Sequence, residues 1–133
     1  LHAATNAHIL HWQTKSFANH MALGEFYEAL PELIDALVEA TQGATGKIIQ
    51  FPTDYYPPAE NGLQELKELR EYFVDNRNVM PPDSEIQNLL DSIGDQIDSS
   101  LYKLRFLSWF MVFSVALQGL EPPSGGFFIY KTK

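Results

Sequence analysis

The stretch Phe17-Ala18-Asn19-His20-Met21-Ala22-Leu23-Gly24-Glu25-Phe26-Tyr27-Glu28-Ala29-Leu30-Pro31-Glu32-Leu33-Ile34-Asp35-Ala36-Leu37-Val38-Glu39-Ala40-Thr41-Gln42 decides the fold. Its apolar residues Leu23, Phe26, Tyr27, Leu30, Leu33, Ile34, Leu37 and Val38 fall on one stripe of a helix. The spacing predicts one long helix from Phe17 to Gln42, stopped by Gly43. Pro31 lies inside it. There it removes one hydrogen bond and crowds the carbonyl of Tyr27, so a kink is expected.

The same period recurs on both sides. Ile86, Leu89, Leu90, Ile93, Ile97, Leu101 and Leu104 predict a helix over Ser84 to Leu107, opened by Pro81-Pro82-Asp83 with Glu85 in its first turn. Leu63, Leu66, Leu69 and Phe73 predict a shorter one over Asn61 to Asn76. Ala4, Ala7, Leu10 and Trp12 fit a helix over Leu1 to Gln13. Between the second and third, Gly43 to Ala59 carries Phe51-Pro52 and Tyr55-Tyr56-Pro57-Pro58, an extended aromatic link. Four helices with these faces predict an all-α protein, an antiparallel four-helix bundle. The first helix is short for its partners, and no initiator Met precedes it, so a truncated N-terminus is expected.

Composition narrows the function. The chain has 133 residues, 45% hydrophobic and 20% charged, which suits one domain with a core. Residues 1–107 read as the bundle. Residues 108–133 read as an apolar helix end and an irregular tail of unknown role. Seventeen acids against nine bases give a formal charge of −8. Nucleic-acid binding is not expected, because phosphate contacts need clustered Lys and Arg. The absence of cysteine excludes a thiolate zinc site, a disulfide framework and a cysteine nucleophile. It also fits a cytoplasmic protein. The longest apolar run, Phe106 to Leu117, is short of the roughly 20 residues a membrane span needs. No membrane partner is expected.

All four histidines, His2, His8, His11 and His20, lie in the first 20 residues. Asp35 and Glu39 follow one helical turn apart. His20, Asp35 and Glu39 form a nitrogen-and-oxygen ligand set suited to iron, manganese or zinc. A helix histidine is more often a satisfied polar contact, and an Asp–Glu pair at this spacing is more often a solvated face. The spacing alone leaves both readings standing. His8 and His11 are i, i+3 neighbours and form a weaker chelating pair. His20 and Asp35 stand about 22 Å apart on a straight helix, too far to share a metal within one chain. Two copies of the helix crossing antiparallel, about a two-fold axis near Ala29 and Leu30, would bring them together twice.

From His11-Trp12-Gln13-Thr14-Lys15-Ser16-Phe17 into the long helix, the sequence resembles the Dps proteins, small dodecameric members of the ferritin-like superfamily. In that family a His-Trp pair ends one helix and a second His opens the next. An Asp and a Glu follow at the offsets that Asp35 and Glu39 have from His20. The chain is also similar to small uncharacterised ferritin-like proteins of tailed phages and marine metagenomes. The resemblance covers roughly residues 1–42 at the level of motif and is architectural beyond.

The resemblance implies a ferritin-like bundle that binds Fe(II) and lets peroxide or dioxygen oxidise it for sequestration. It implies His11, His20, Asp35 and Glu39 as metal ligands. His20, Asp35 and Glu39 would be the catalytic set of a ferroxidase, and Trp12 would border the site. The two histidines would come from one chain and the two acids from its mate, in a homodimer and, in the family's assembly, a dodecamer. The shorter loop between His11 and His20 is a departure that bears on the place of His11. No lysine-rich tail is visible, which keeps DNA outside the expectation. The alternative reading is a non-enzymatic acidic helical interaction module, phage-encoded, with Phe51 to Tyr56 among its contact surfaces.

Overall fold

The computed structural model describes residues 1–107. They form α1 (His2–Gln13), α2 (Phe17–Thr45), α3 (Gly62–Asn76) and α4 (Ser84–Tyr102). A 3-10 turn, Arg77–Val79, follows α3, and a π turn, Lys103–Leu107, ends α4. No strand occurs among the described residues, so the chain there is all-α. The tail expected over 108–133, with most of the apolar run from Phe106, lies outside them. No helix among them is long and apolar enough to cross a membrane.

The helix starts follow from local chemistry. Ser16 caps α2, its hydroxyl accepting from the Asn19 amide at 3.3 Å. Asn61 caps α3 in the same way, accepting from the Gln64 amide at 3.0 Å, and so stands outside the helix the spacing assigned it to. The stops differ more. α2 runs through Pro31 and through Gly43, and ends at Thr45. Glycine ends a helix when the chain turns left-handed, and Gly46 does so at φ 64°, its amide bonded to the Gln42 carbonyl. Gly43 keeps helical geometry at an exposed position.

The four helices close a ring in which α1 packs on α2 and α3, and α4 packs on the same two. Every neighbouring pair is antiparallel. His11 lies beside His20 while His8 lies beside Tyr27. Arg70 pairs with Asp98, and Arg77 with Asp91. Lys103 pairs with Glu25 at one end of α2, and Leu90 shares a cavity wall with Leu37 near the other. Asn6 bonds Glu65, and Ala3 faces the same cavity as Phe73. It follows that α2 and α3 are parallel across the diagonal. The link 46–61 therefore returns along the length of the bundle.

Phe26, Leu66 and Ile97 are fully buried at the centre, with Leu10, Leu23 and Leu101 around them. Leu63, Leu69 and Phe73 of α3 pack against this core half-buried. An apolar cavity of about 300 Å³ opens near Leu1, among Leu30, Ile34, Leu37, Leu69 and Ile93.

A buried polar network fastens the link. The Asn6 amide donates to Glu65 Oε1 at 2.9 Å, and the Ala59 amide donates to Oε2 at 2.8 Å. The Tyr55 hydroxyl donates to Asn6 Oδ1 at 3.1 Å. Both carboxylate oxygens are thus satisfied where Glu65 is only 9% exposed.

Candidate metal-binding site

Only Thr14, Lys15 and Ser16 separate α1 from α2. The Ser16 amide donates to the Thr14 hydroxyl at 3.2 Å and tightens this turn. Such a turn holds the last residues of α1 against the first turn of α2. It places His11 on His20 with ring centroids 3.6 Å apart and planes 23° from parallel.

Each ring is anchored to the other residue's backbone. His11 Nδ1 lies 2.7 Å from the His20 carbonyl oxygen, and His20 Nδ1 lies 3.0 Å from that of His11. A carbonyl can only accept, so Nδ1 carries the hydrogen in both rings. Each neutral ring then keeps its Nε2 lone pair for an external partner, and no described residue bonds to either Nε2. This is how ligand histidines are oriented, one ring nitrogen held by the protein and the other offered to the ion. The bond from His20 also satisfies one of the last carbonyls of α1, which lack helical partners.

Gly24 makes room for the pair. A Cβ at this position would meet His11 Cε1 at 3.3 Å and Nδ1 at 3.4 Å, tighter than ordinary packing. Gly24→Ala should therefore push the His11 ring by a few tenths of an ångström. Metal affinity should fall about 10- to 100-fold, the usual effect of disturbing an orienting contact. Ala gains about 1 kcal/mol over Gly inside a helix, and displacing the anchored His11 ring costs stability, so the two effects oppose each other and the melting temperature should change little. Titration of both proteins with Co(II), read by its ligand-field absorption, alongside a thermal melt, checks both parts.

A second ring pair adjoins the first. His8 stacks on Tyr27 at 3.9 Å and 12°, and Trp12 lies against His8 at 4.0 Å. Tyr27 meets His11 edge-on at 5.3 Å. Trp12 itself is 68% exposed. His8 thus holds Tyr27, with its ring centroid 6.0 Å from that of His11. His2 lies apart, against Tyr55 and Tyr56 of the link.

Asp35 and Glu39 are not brought to the histidines. Both are exposed on α2, 15 and 19 residues beyond His20, and no described side chain pairs with them. Among the described residues of one chain, no three His, Cys, Asp or Glu side chains gather where they could hold a metal. Glu28 and Glu32 share the outward arc of α2 with the two acids, at the level of Ala29 and Leu30. Leu30 itself turns into the chain's own core.

Sequence reasoning missed Gly24 and the Tyr27–His8 stack. A glycine one turn past His20, inside a strong helix, is the signal that pointed to the first. Nothing in the spacing pointed to the second, because it depends on how α1 lies on α2. The chain belongs to a family of unknown function, DUF5856, whose model matches residues 11–104. No curated protein and no solved structure matches it.

Proposed function

We propose that this is a ferritin-like, Dps-like iron protein that binds Fe(II) at sites shared between two copies of the chain, oxidises it and sequesters the product. His11 and His20 of one chain hold the ion with Asp35 and Glu39 of its two-fold mate. Neutral imidazoles suit Fe(II), and carboxylates suit the harder Fe(III) product. Each ion gives one electron, so peroxide takes two ions' electrons and two protons to yield two waters. Manganese and zinc fit the same donor set.

The observation that carries this reading is the reciprocal anchoring of the two histidines, which frees both Nε2 atoms and fixes both rings. The ring of antiparallel helices with a single long crossover supports it, since ferritin-like bundles have that connection. The antiparallel pairing that sets His20 opposite Glu39 also sets Glu28 and Glu32 of one chain against those of the other. Like charges at contact oppose association, and cations offset them. Assembly is therefore coupled to metal.

Anaerobic Fe(II) titration with sedimentation tests the reading. One saturable site per chain is expected, with metal shifting the protein from monomer towards the dimer or a larger assembly such as a dodecamer. Glu28→Gln with Glu32→Gln should make the pairing less dependent on metal. A folded protein that keeps its mass with chelator and has no saturable site would sink the proposal. That result would favour the acidic interaction module, for which the exposed Ile48, Phe51 and Tyr56 of the link speak.

A further inference from the structure

The apolar cavity lies at the opposite end of α1 from the histidine pair and runs lengthwise inside the bundle. Its inner end meets Leu30 and Ile97, both buried. Its outer end meets Arg77 and the exposed Val79 of the 3-10 turn. Leu69, Phe73 and Ile93 are part of its wall. From Leu69 to Arg77 is just over two turns of α3, about 12 Å, the length of an extended alkyl chain of roughly eight to ten carbons. Its volume of about 300 Å³ is where the range of small-molecule sites begins. The wall is almost wholly hydrocarbon and offers too few of the polar partners that hold a buried water. Packed cores keep few voids of this size, because each costs stability.

One cation stands at the outer end. Arg77 is partly buried, with its guanidinium 5.6 Å from the centre of the Phe73 ring. Its Nη2 donates to Asp91 at 2.9 Å and to Gln87 at 3.2 Å. The N–H groups of Nε and Nη1 remain, and no described residue accepts from them. A carboxylate placed there would take charge-assisted hydrogen bonds from the guanidinium. We propose that the cavity binds a medium-chain fatty acid, its alkyl chain lying between α2, α3 and α4 and its carboxylate on Arg77. The proposal is independent of the iron reading, since none of the four metal-ligand residues lines this cavity.

Calorimetric titration of the protein with hexanoate, octanoate, decanoate and dodecanoate, each below its micelle concentration, tests it. Affinity should rise about 4-fold per methylene, the value of one buried CH₂, and level off near ten carbons, where the cavity is full. Arg77→Gln should weaken octanoate about 10-fold and leave octan-1-ol unchanged. Asp91→Asn, which removes the competing carboxylate, should tighten octanoate. Ile93→Phe should fill the cavity and abolish binding of both. Circular dichroism shows whether that variant folds, and Leu69→Trp, at a half-buried position of the wall, makes the same test. No saturable site for any member of the series would overturn the proposal. So would affinity that keeps rising with length and ignores Arg77→Gln and both wall substitutions, which would put the chains on the exposed Ile48 and Phe51 of the link. Octanoate bound as octan-1-ol is, with neither moved by Arg77→Gln, would overturn the carboxylate assignment. Binding that weakens as protein concentration rises, with dimers in sedimentation, would give the cavity to a second copy instead and overturn it too.

Discussion

His20→Ala should abolish saturable Fe(II) binding, lowering affinity by more than about 100-fold, since even an orienting contact is worth about 10- to 100-fold. His20 is bound to lose more because its Nδ1 also anchors the α1 end through the His11 carbonyl. Asp35→Ala with Glu39→Ala should do the same from the other side. His8→Ala should leave binding intact, because His8 stacks on Tyr27 and does not belong to the anchored pair. The decisive form of the experiment mixes the two defective chains. In a heterodimer one site lacks both His20 and the acids, while the other takes its histidines from the acid-deficient chain and its acids from the partner. Mixing should therefore restore part of the binding that neither variant has alone. A titration of the mixture that stays flat would mean that the ligands are not shared.

The second large effect falls on the fold. Phe26 is 0% exposed and sits where α2 meets the central core. Phe26→Ala should destabilise the protein by about 3–5 kcal/mol, from lost transfer energy and the cavity left behind. Domains of this size hold about 5–15 kcal/mol, so the variant should be marginal at 25 °C. Phe17→Ala is the matching control, since Phe17 is 65% exposed on the same helix and should change stability by about 0.5 kcal/mol or less. Urea unfolding followed by circular dichroism measures both. Equal effects at the two positions would contradict the burial pattern.

The helices were legible because each one buries a single stripe, and burial imposes the 3.6-residue period on the sequence. Ile86, Ile93, Ile97, Leu101 and Leu104 were read as inward, and each is buried. Helix ends were less legible. Gly43 and Gly46 are equivalent as letters, and only the left-handed turn at Gly46 ends α2. The partnership of His11 with His20 was implied only by the resemblance, in which the shorter loop counts as a departure; in the fold the turn of Thr14, Lys15 and Ser16 is what sets the two rings together. The place of Tyr27 was not legible, since it depends on the rotation of α1 against α2. The Asn6–Glu65 bond was equally hidden, because it joins residues 59 apart in the chain. A search for apolar stripes does not register a buried carboxylate.

The crossover link divides the molecule into two helical hairpins. α1 with α2 is closed by a turn of a few residues, and α3 with α4 by a short one. The pairs that complete the ring, α1 with α3 and α2 with α4, join one hairpin to the other. Local contacts form early, and distant ones must first meet the entropy of closing a loop. Folding should therefore proceed as two rapid local events and one slower docking. The Asn6–Glu65–Tyr55 network forms only in the last step, so it serves as the latch of the docked state.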